Sequence, residues 1–249
     1  MRIRGYAPGT PCWADVSSVD PGKALDFYGS MFGWTGSGAE GYTICQLGDR
    51  PVAGIGQLAD PSRNAGWLMY VATEDVDATA AAVRDAGGTV LLPPTDMGEA
   101  GRTALFADPT GAVFAGWERG IFNGAQVFNE PGALCWYELS CPDVDAARRF
   151  YASVFNWQPK PDLTIDGAFE WIKGEDSVAG LVPRRHASWN VVVMVDDCSA
   201  TTEEIVARGG RTIGKALDTA VCRYARVSDP GGATFVVAEL AKAARGALL

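Results

Sequence analysis

The chain holds a single histidine, His186, among 249 residues. With no GxSxG motif and no Cys-His pair beside it, a serine or cysteine triad is excluded. Its six cysteines (12, 45, 135, 141, 198 and 222) include no CxxC. That argues against a zinc knuckle or a disulfide framework and for buried, reduced thiols. No stretch approaches the roughly 18 to 20 continuous apolar residues of a membrane span, and the opening MRIRGYAPGTPCW lacks an apolar signal core. A soluble, cytoplasmic protein with no membrane partner is expected. The Gly-rich stretches GGTV and GGAT lack GxGxxG or GxxxxGK spacing, so no nucleotide cofactor is indicated. Positive charge is also scarce: 21 Lys and Arg face 30 Asp and Glu, a net charge of −9. A phosphate backbone would be repelled, which excludes nucleic acid as a partner and admits neutral or cationic small molecules.

What the chain does contain is a stretch written twice. CWADVSSVDPGKALDFYGSMFGW, from Cys12 to Trp34, returns as CWYELSCPDVDAARRFYASVFNW from Cys135 to Trp157, at a constant offset of 123. With 47% hydrophobic residues the length suits two ordinary domains, each with its own core. The expected division is a domain over 1–120, a Gly- and Asn-rich linker over 121–131, a second domain over 132–241 and a tail over 242–249 that frays or forms a short helix.

The repeated stretch reads as a strand followed by a helix. Residues 12–17 alternate, with Trp13, Asp15 and Ser17 on one face. Asp20-Pro21 supplies an N-cap and a proline at the first helical position, and Ala24, Phe27, Tyr28, Met31 and Phe32 recur at helical spacing until Gly33. In the second copy Ala147, Phe150, Tyr151, Val154 and Phe155 repeat that stripe. Asn156 stands in place of Gly33, and both residues tolerate a left-handed helix end. Short strands follow near 36–40, 42–47 and 52–58, closed by the DPSRN loop. The pattern then restarts with a strand over 67–72, a helix over 75–86 and strands near 89–92, 102–107 and 113–118, with DPTG at 108–111 as a hairpin turn. Each half is therefore an α+β domain of two βαβββ modules, four modules in all.

Four such modules, the "CW…FY…FGW" stretch and the later "GR…DPTGAVFA" resemble the vicinal oxygen chelate superfamily of glyoxalases, bleomycin-resistance proteins and extradiol dioxygenases. The nearest likeness is to a tandem-domain, glyoxalase-like actinobacterial branch often labelled hydroxylase and frequent in antibiotic gene clusters. An Arg-dominated basic set with abundant Ala, Gly and Val fits such a high-GC source. The resemblance implies curved mixed sheets around clefts and, in metal-using members, His, Gln or Glu ligands on cleft strands. Its ligand positions fall here on Trp13 and Trp136, on Trp67 or Leu68 and Trp189 or Asn190, on Ala115 and Val236, and within 54–56 or 180–182. None is His, Glu or Gln, so the chain departs from the family's metal set: no metal and no cofactor is expected, and Glu118 and Glu239 point away from the ligand row, to solvent or between the halves.

Strand parity places Trp13 with Asp15, and Trp136 with Glu138, on the concave side. They read either as an aromatic platform beside a general base of raised pKa, or as structural indoles with acids at a wet rim or paired to Arg102 and Arg223. Asp15 and Glu138 are the catalytic candidates; Trp13, Trp67, Arg102, Trp136, Trp171, Trp189 and Arg223 are the substrate-binding candidates. Trp34 and Trp157, at the helix ends, read as core. The resemblance together with an aromatic, acidic cleft favours a metal-independent enzyme of bacterial secondary metabolism acting on a bulky aromatic natural product, as a monomer or homodimer, by isomerisation, dehydration, cyclisation or oxygenation. The alternatives are a resistance protein that sequesters a cationic aromatic antibiotic through cation–π contacts and a metal-dependent dioxygenase or glyoxalase with unconventional ligands.

Overall fold

The computed structural model describes residues 3, 5–39, 41–60, 65–162 and 167–241; the expected tail and most of the DPSRN loop lie outside them. The first half runs β1 (Pro11–Ser18), α1 (Pro21–Phe32), β2 (Trp34–Ala39), β3 (Tyr42–Leu47), β4 (Arg50–Gln57), β5 (Gly66–Thr73), α2 (Val76–Asp85), β6 (Thr89–Asp96), β7 (Gly101–Ala107) and β8 (Val113–Arg119). The second runs β9 (Leu134–Cys141), α3 (Val144–Phe155), β10 (Gln158–Pro161), β11 (Phe169–Lys173), β12 (Asp176–Pro183), β13 (Ser188–Met194), α4 (Cys198–Ala207), β14 (Arg211–Thr212), β15 (Leu217–Asp218), β16 (Cys222–Ser228) and β17 (Thr234–Leu240). Each half is thus two βαβββ modules, the last of them carrying one extra short strand, β15.

The modules pair within each half. β1 runs antiparallel to β5 at the centre of one sheet, ordered β2-β3-β4-β1-β5-β8-β7-β6, and β9 does the same with β13 in the other. In β1 the even-numbered residues Ala14 and Val16 face the helices, and Trp13 and Asp15 face the opposite, concave side. The helices end as their sequences dictate. Asp20, Asp75, Asp143 and Asp197 each accept a backbone N–H three residues on, and Gly33 (φ 73°) and Asn156 (φ 57°) close α1 and α3 in the left-handed conformation.

Two separate cores are not what forms. One continuous core joins the halves, because the helical faces pack against each other. Tyr28 of α1 lies 5.7 Å from Phe235 of β17, and Phe155 of α3 lies 5.8 Å from Phe114 of β8. The contacts are reciprocal: Tyr28 donates its hydroxyl to the Asp229 carboxylate (2.9 Å) and Tyr151 to that of Asp108 (3.0 Å). These aspartates begin the two hairpin turns, so each turn is clasped by the helix of the other half. Trp34 and Trp157 are core, as read, and their indole N–H groups also cross, to the carbonyls of Gly132 and Gly9 (both 2.6 Å). Residues 121–131 are no free tether: Phe122 packs edge-on against Trp13 at 4.9 Å, Ala125 N–H binds the Cys12 carbonyl, and Glu130 forms a two-pronged pair with Arg50.

Candidate functional site

The two concave faces begin from the same template and end differently. In the first half Asp15 is 6% exposed and one of its oxygens, Oδ2, accepts from both Tyr70 (2.8 Å) and Tyr42 (3.0 Å). Trp13, 3% exposed, donates its indole N–H to the Tyr42 hydroxyl at 2.9 Å. Phe122, Tyr6 and Trp117 pack over this set. Burial pushes the Asp15 carboxyl up to about 6, although both tyrosine hydroxyls pull against that rise. Asp15 therefore sits in a filled cleft, out of reach of a substrate, and Trp13 is a packed side chain there. Both are corrections to their expected roles.

The second half has lost those plugs. By strand register Tyr70 becomes Val192 and Trp117 becomes Ala238, and Tyr42 corresponds to Ala168. Removing three large aromatics opens a cavity of about 380 Å³ lined by Trp136, Phe169, Val192, Tyr224, Ala238 and Leu240 among others. That volume lies within the range typical of small-molecule sites, roughly 300 to 1,000 Å³. Trp136 and Glu138 both line it, so here the sequence reading and the structure place the indole and the acid together. The Trp136 ring lies over Gly180, where a Cβ would stand 2.8 Å from its Nε1. Only glycine lets the indole lie back against β12 and leave the space open.

Glu138 is the chemically distinct group. No hydrogen bond to its carboxylate occurs among the described residues, in contrast to the doubly bonded Asp15. Its carboxyl is pushed up by burial; Arg184 and Arg226 act in the opposite direction, and Asp162 adds to the rise. A half-buried carboxyl with a raised proton affinity, in the wall of a largely apolar cavity, is suited to general acid–base work. Arg184, Arg226, Tyr224 and Cys222 escaped the sequence reading. Arg226 was legible in principle, since its counterpart in the first half is Leu105.

The other candidates do not reach the cleft. Trp67 pairs with Val16 in β1 and so faces the helices, donating to the Tyr28 hydroxyl at 3.2 Å. Trp189 does the same to Tyr151 at 2.8 Å, and Trp171 is fully buried against Tyr151 and Trp157. Arg102 pairs with Asp77 (2.7 Å) and Glu118 (3.4 Å), and Arg223 with Asp218 (2.9 Å); neither meets Asp15 or Glu138. Glu118 and Glu239 are helix caps, accepting the first N–H of α2 (Val76, 2.9 Å) and of α4 (Cys198, 3.1 Å). All six cysteines are free and five are buried; Cys222 is half-buried at the cavity wall.

A second hollow, of about 580 Å³, lies where α1 meets the turn at 229–231. Most of its charged groups are engaged: Asp20 with Lys23, Arg208 with Glu204 and Asp229 with Tyr28. It reads as a seam between the halves.

The donor set of the open cleft does not fit a divalent metal. Of the carboxylates that line it, Glu138, Asp162 and Glu170, the last is engaged by Ser177 and Lys160, and Arg184 and Arg226 act on Glu138, while the Asn190 amide is already bonded to Ser140 and Arg226. No cluster of three His, Cys, Asp or Glu side chains suited to a metal occurs among the described residues. Among those residues no helix is long and apolar enough to cross a membrane.

Comparison with known proteins matches this geometry. Residues 13–115 match the model of the Glyoxalase/Bleomycin resistance protein/Dioxygenase superfamily and residues 136–238 that of a glyoxalase-like domain. The chain is 37% identical to the anthracycline biosynthesis protein DnrV of Streptomyces peucetius over 94% of both chains. It is 34% identical to the putative glyoxylase CFP32 of Mycobacterium tuberculosis, over 93% of this chain and 95% of that one. Among solved structures, the Mn(II)-bound glyoxalase of Novosphingobium aromaticivorans superposes with a TM-score of 0.67 at 16% identity, covering 93% of this chain and 82% of that one, a likeness of fold. With both halves matched and both cleft-forming sheets in place, the chain belongs to the glyoxalase/bleomycin resistance protein/dioxygenase superfamily, as a tandem of two vicinal oxygen chelate domains.

Proposed function

We propose that this protein serves bacterial secondary metabolism by taking a bulky aromatic natural product into its C-terminal cleft and moving a proton there, without a metal. The observation that carries the reading is the unpartnered Glu138 carboxylate at the end of the open cavity, set against its copy Asp15, which two tyrosines tie down. The relatives named for anthracycline biosynthesis support the setting and a polycyclic aromatic ligand.

The chemistry balances without an oxidant. Ionised Glu138 accepts a proton from an acidic C–H or O–H of the ligand, and the enolate or phenolate left behind is reprotonated elsewhere, loses hydroxide or attacks a carbonyl. Isomerisation, dehydration and cyclisation are the reactions this group can serve, and of the four expected reaction types they are favoured over oxygenation. Trp136 supplies a flat contact surface, and its indole N–H has no partner among the described residues and is free to donate to a ligand oxygen.

The test is Glu138→Gln with an anthracycline aglycone as substrate, followed by mass spectrometry for turnover and by tryptophan quenching for binding. Binding is expected to persist and turnover to fall by about 10²- to 10⁴-fold, the usual share of a positioned acid–base group. Unchanged turnover would sink the mechanism. Recovery of the ligand unaltered by the wild-type protein moves the reading to a carrier or sequestering protein, for which the carboxylates of the cavity wall, Glu138, Asp162 and Glu170, suit a cationic drug. Metal analysis of unchelated protein is expected to show no stoichiometric metal; near one ion per domain would restore the metal-dependent alternative.

A further inference from the structure

The open cleft holds a hydroxyl that its copy lacks. Tyr224 of β16 lines the cavity together with Glu138 and lies opposite Ala238 in β17, where the matching pair of the first half is Thr103 with Trp117. The aromatic ring has in effect changed strands: the indole is gone, and a phenol stands on the facing strand. Alternation along β16 turns Ala225 and Val227 toward the shared core and Tyr224 toward the cavity. Thr103 spends its hydroxyl on the Gly116 carbonyl at 3.0 Å, whereas no hydrogen bond from the Tyr224 hydroxyl to the second sheet occurs among the described residues.

Among those residues the hydroxyls that line the cavity belong to Ser177, Thr219 and Tyr224. Ser177 donates to Glu170 at 3.1 Å and Thr219 to the Cys222 carbonyl at 2.9 Å, but Tyr224 donates to no acceptor among the described residues. Its neighbour Arg184 carries donors only and serves the phenol oxygen. Burial, first, and then the charge of Glu138 push the phenol up, which keeps the proton on oxygen at neutral pH. Tyr224 and Glu138 thus lie within each other's field, and no hydrogen bond joins them among the described residues. A ligand that fills the hollow meets a base without a donor and a donor without an acceptor.

We propose that Tyr224 is the partner of Glu138 in proton transfer and that the pair selects an enolisable carbonyl compound. The ligand's ketone oxygen accepts from the Tyr224 hydroxyl while Glu138 takes a proton from the adjacent carbon. As that C–H bond breaks, its electron pair forms the C=C bond and the carbonyl π pair moves to oxygen, where the phenol's hydrogen bond meets the growing charge. Glu138 then returns the proton to another carbon of the conjugated system, the carbonyl re-forms and Tyr224 is left as it began. The balance is that of an isomerisation, with no oxidant. This rests on the reading of the C-terminal cleft as the site of proton transfer.

The experiment uses the full chain and 2-tetralone, a benzo-fused ketone with an acidic benzylic C–H beside its carbonyl, in deuterium oxide at neutral pH. NMR reads the exchange of that hydrogen for deuterium, which the wild type is expected to accelerate over buffer. Tyr224→Phe keeps the ring and should slow the accelerated exchange by about 10²-fold or more, the usual cost of one donor at a developing oxyanion. Glu138→Gln should slow it by at least as much. Two further probes separate the hydroxyl from the ring: 2-naphthol, an enol fixed by aromaticity, and 2-methylnaphthalene, of similar shape without the oxygen. By calorimetry Tyr224→Phe should bind 2-naphthol about three- to tenfold more weakly and 2-methylnaphthalene unchanged. Exchange as fast in Tyr224→Phe as in the wild type, or equal effects on the two naphthalenes, overturns the role of Tyr224.

A third variant, Ala238→Trp, refills the cleft with the residue found at its copy, Trp117, and separates the two claims. Circular dichroism and thermal unfolding confirm that each variant is folded. Exchange that is lost in Glu138→Gln and in Ala238→Trp but kept in Tyr224→Phe sinks only the role of Tyr224. No acceleration by the wild type, or acceleration undiminished in Ala238→Trp, sinks the cleft reading and the role of Tyr224 together.

Discussion

Asp15→Asn should make the protein more stable at neutral pH, and the gain should depend on pH in a way no other group mimics. Asp15 is buried, and burial raises its carboxyl from the ordinary 3.8 to about 6, net of the opposing hydrogen bonds from Tyr70 and Tyr42. At about 1.4 kcal/mol per pH unit, holding the ionised form in the folded chain costs about 3 kcal/mol. Below pH 3.8 the side chain is protonated folded and unfolded, and nothing is lost. Between 3.8 and 6 the unfolded chain releases the proton first while the folded chain retains it, so stability falls as pH rises. Above 6 the penalty is constant. Asparagine carries no such term, and its amide oxygen can still accept from both tyrosine hydroxyls. The stability of Asp15→Asn minus that of wild type should climb by about 2.5 kcal/mol between pH 4 and pH 7.5. Urea titrations followed by tryptophan fluorescence at matched pH values measure it, and every other carboxylate cancels in the difference. A flat difference, or a variant that loses ground as pH rises, would show that Asp15 is a stabilised carboxylate, and the account of the filled first cleft would fail.

Tyr151→Phe removes a hydroxyl that both donates to Asp108 and accepts from Trp189, leaving a buried indole N–H unsatisfied; urea unfolding should register a loss of about 1 to 3 kcal/mol. Tyr28→Phe should lose a comparable amount at the opposite clasp, since it serves Asp229 and Trp67 in the same way. Gly180→Ala would drive a Cβ into the Trp136 ring and push the indole into the cavity. Ligand affinity by fluorescence quenching is expected to drop about tenfold while unfolding changes by less than about 1 kcal/mol; unchanged affinity would show that the indole is not a cavity wall. Glu118→Gln keeps an oxygen at the α2 cap but loses the charge near the helix N-terminus and the contact to Arg102, a change of about 0.5 to 1 kcal/mol by urea unfolding.

Much of the architecture was legible because it rests on local rules applied twice. The aspartate caps, the Gly33 and Asn156 helix ends and the alternation that sends Trp13, Asp15, Trp136 and Glu138 to the concave side each follow from backbone preference or period. The fate of the other tryptophans was not legible, because it depends on register between strands distant in sequence. Trp67 faces the helices because it lies opposite Val16, and no local pattern states that pairing. The assumption of two independent cores failed for a related reason: the Tyr28–Asp229 and Tyr151–Asp108 clasps join residues in different repeats, and a duplication does not announce that its copies pack against one another.

The asymmetry between the clefts follows from what each copy could afford to change. The helical faces of both halves are committed to one shared core, so a substitution there disturbs both. The concave faces carry no such mutual constraint. In the first, Tyr42, Tyr70 and Trp117 fill the hollow and spend their hydroxyls and ring faces on Asp15 and Trp13. In the second, Ala168, Val192 and Ala238 leave apolar wall exposed and Glu138 unbonded, an arrangement that sacrifices aromatic burial worth roughly 1.5 to 3 kcal/mol per side chain. A loss of that size falls in one copy alone, beside Asn190 and Arg226 where the first half has Leu68 and Leu105; under the proposed function, a ligand replaces the missing rings.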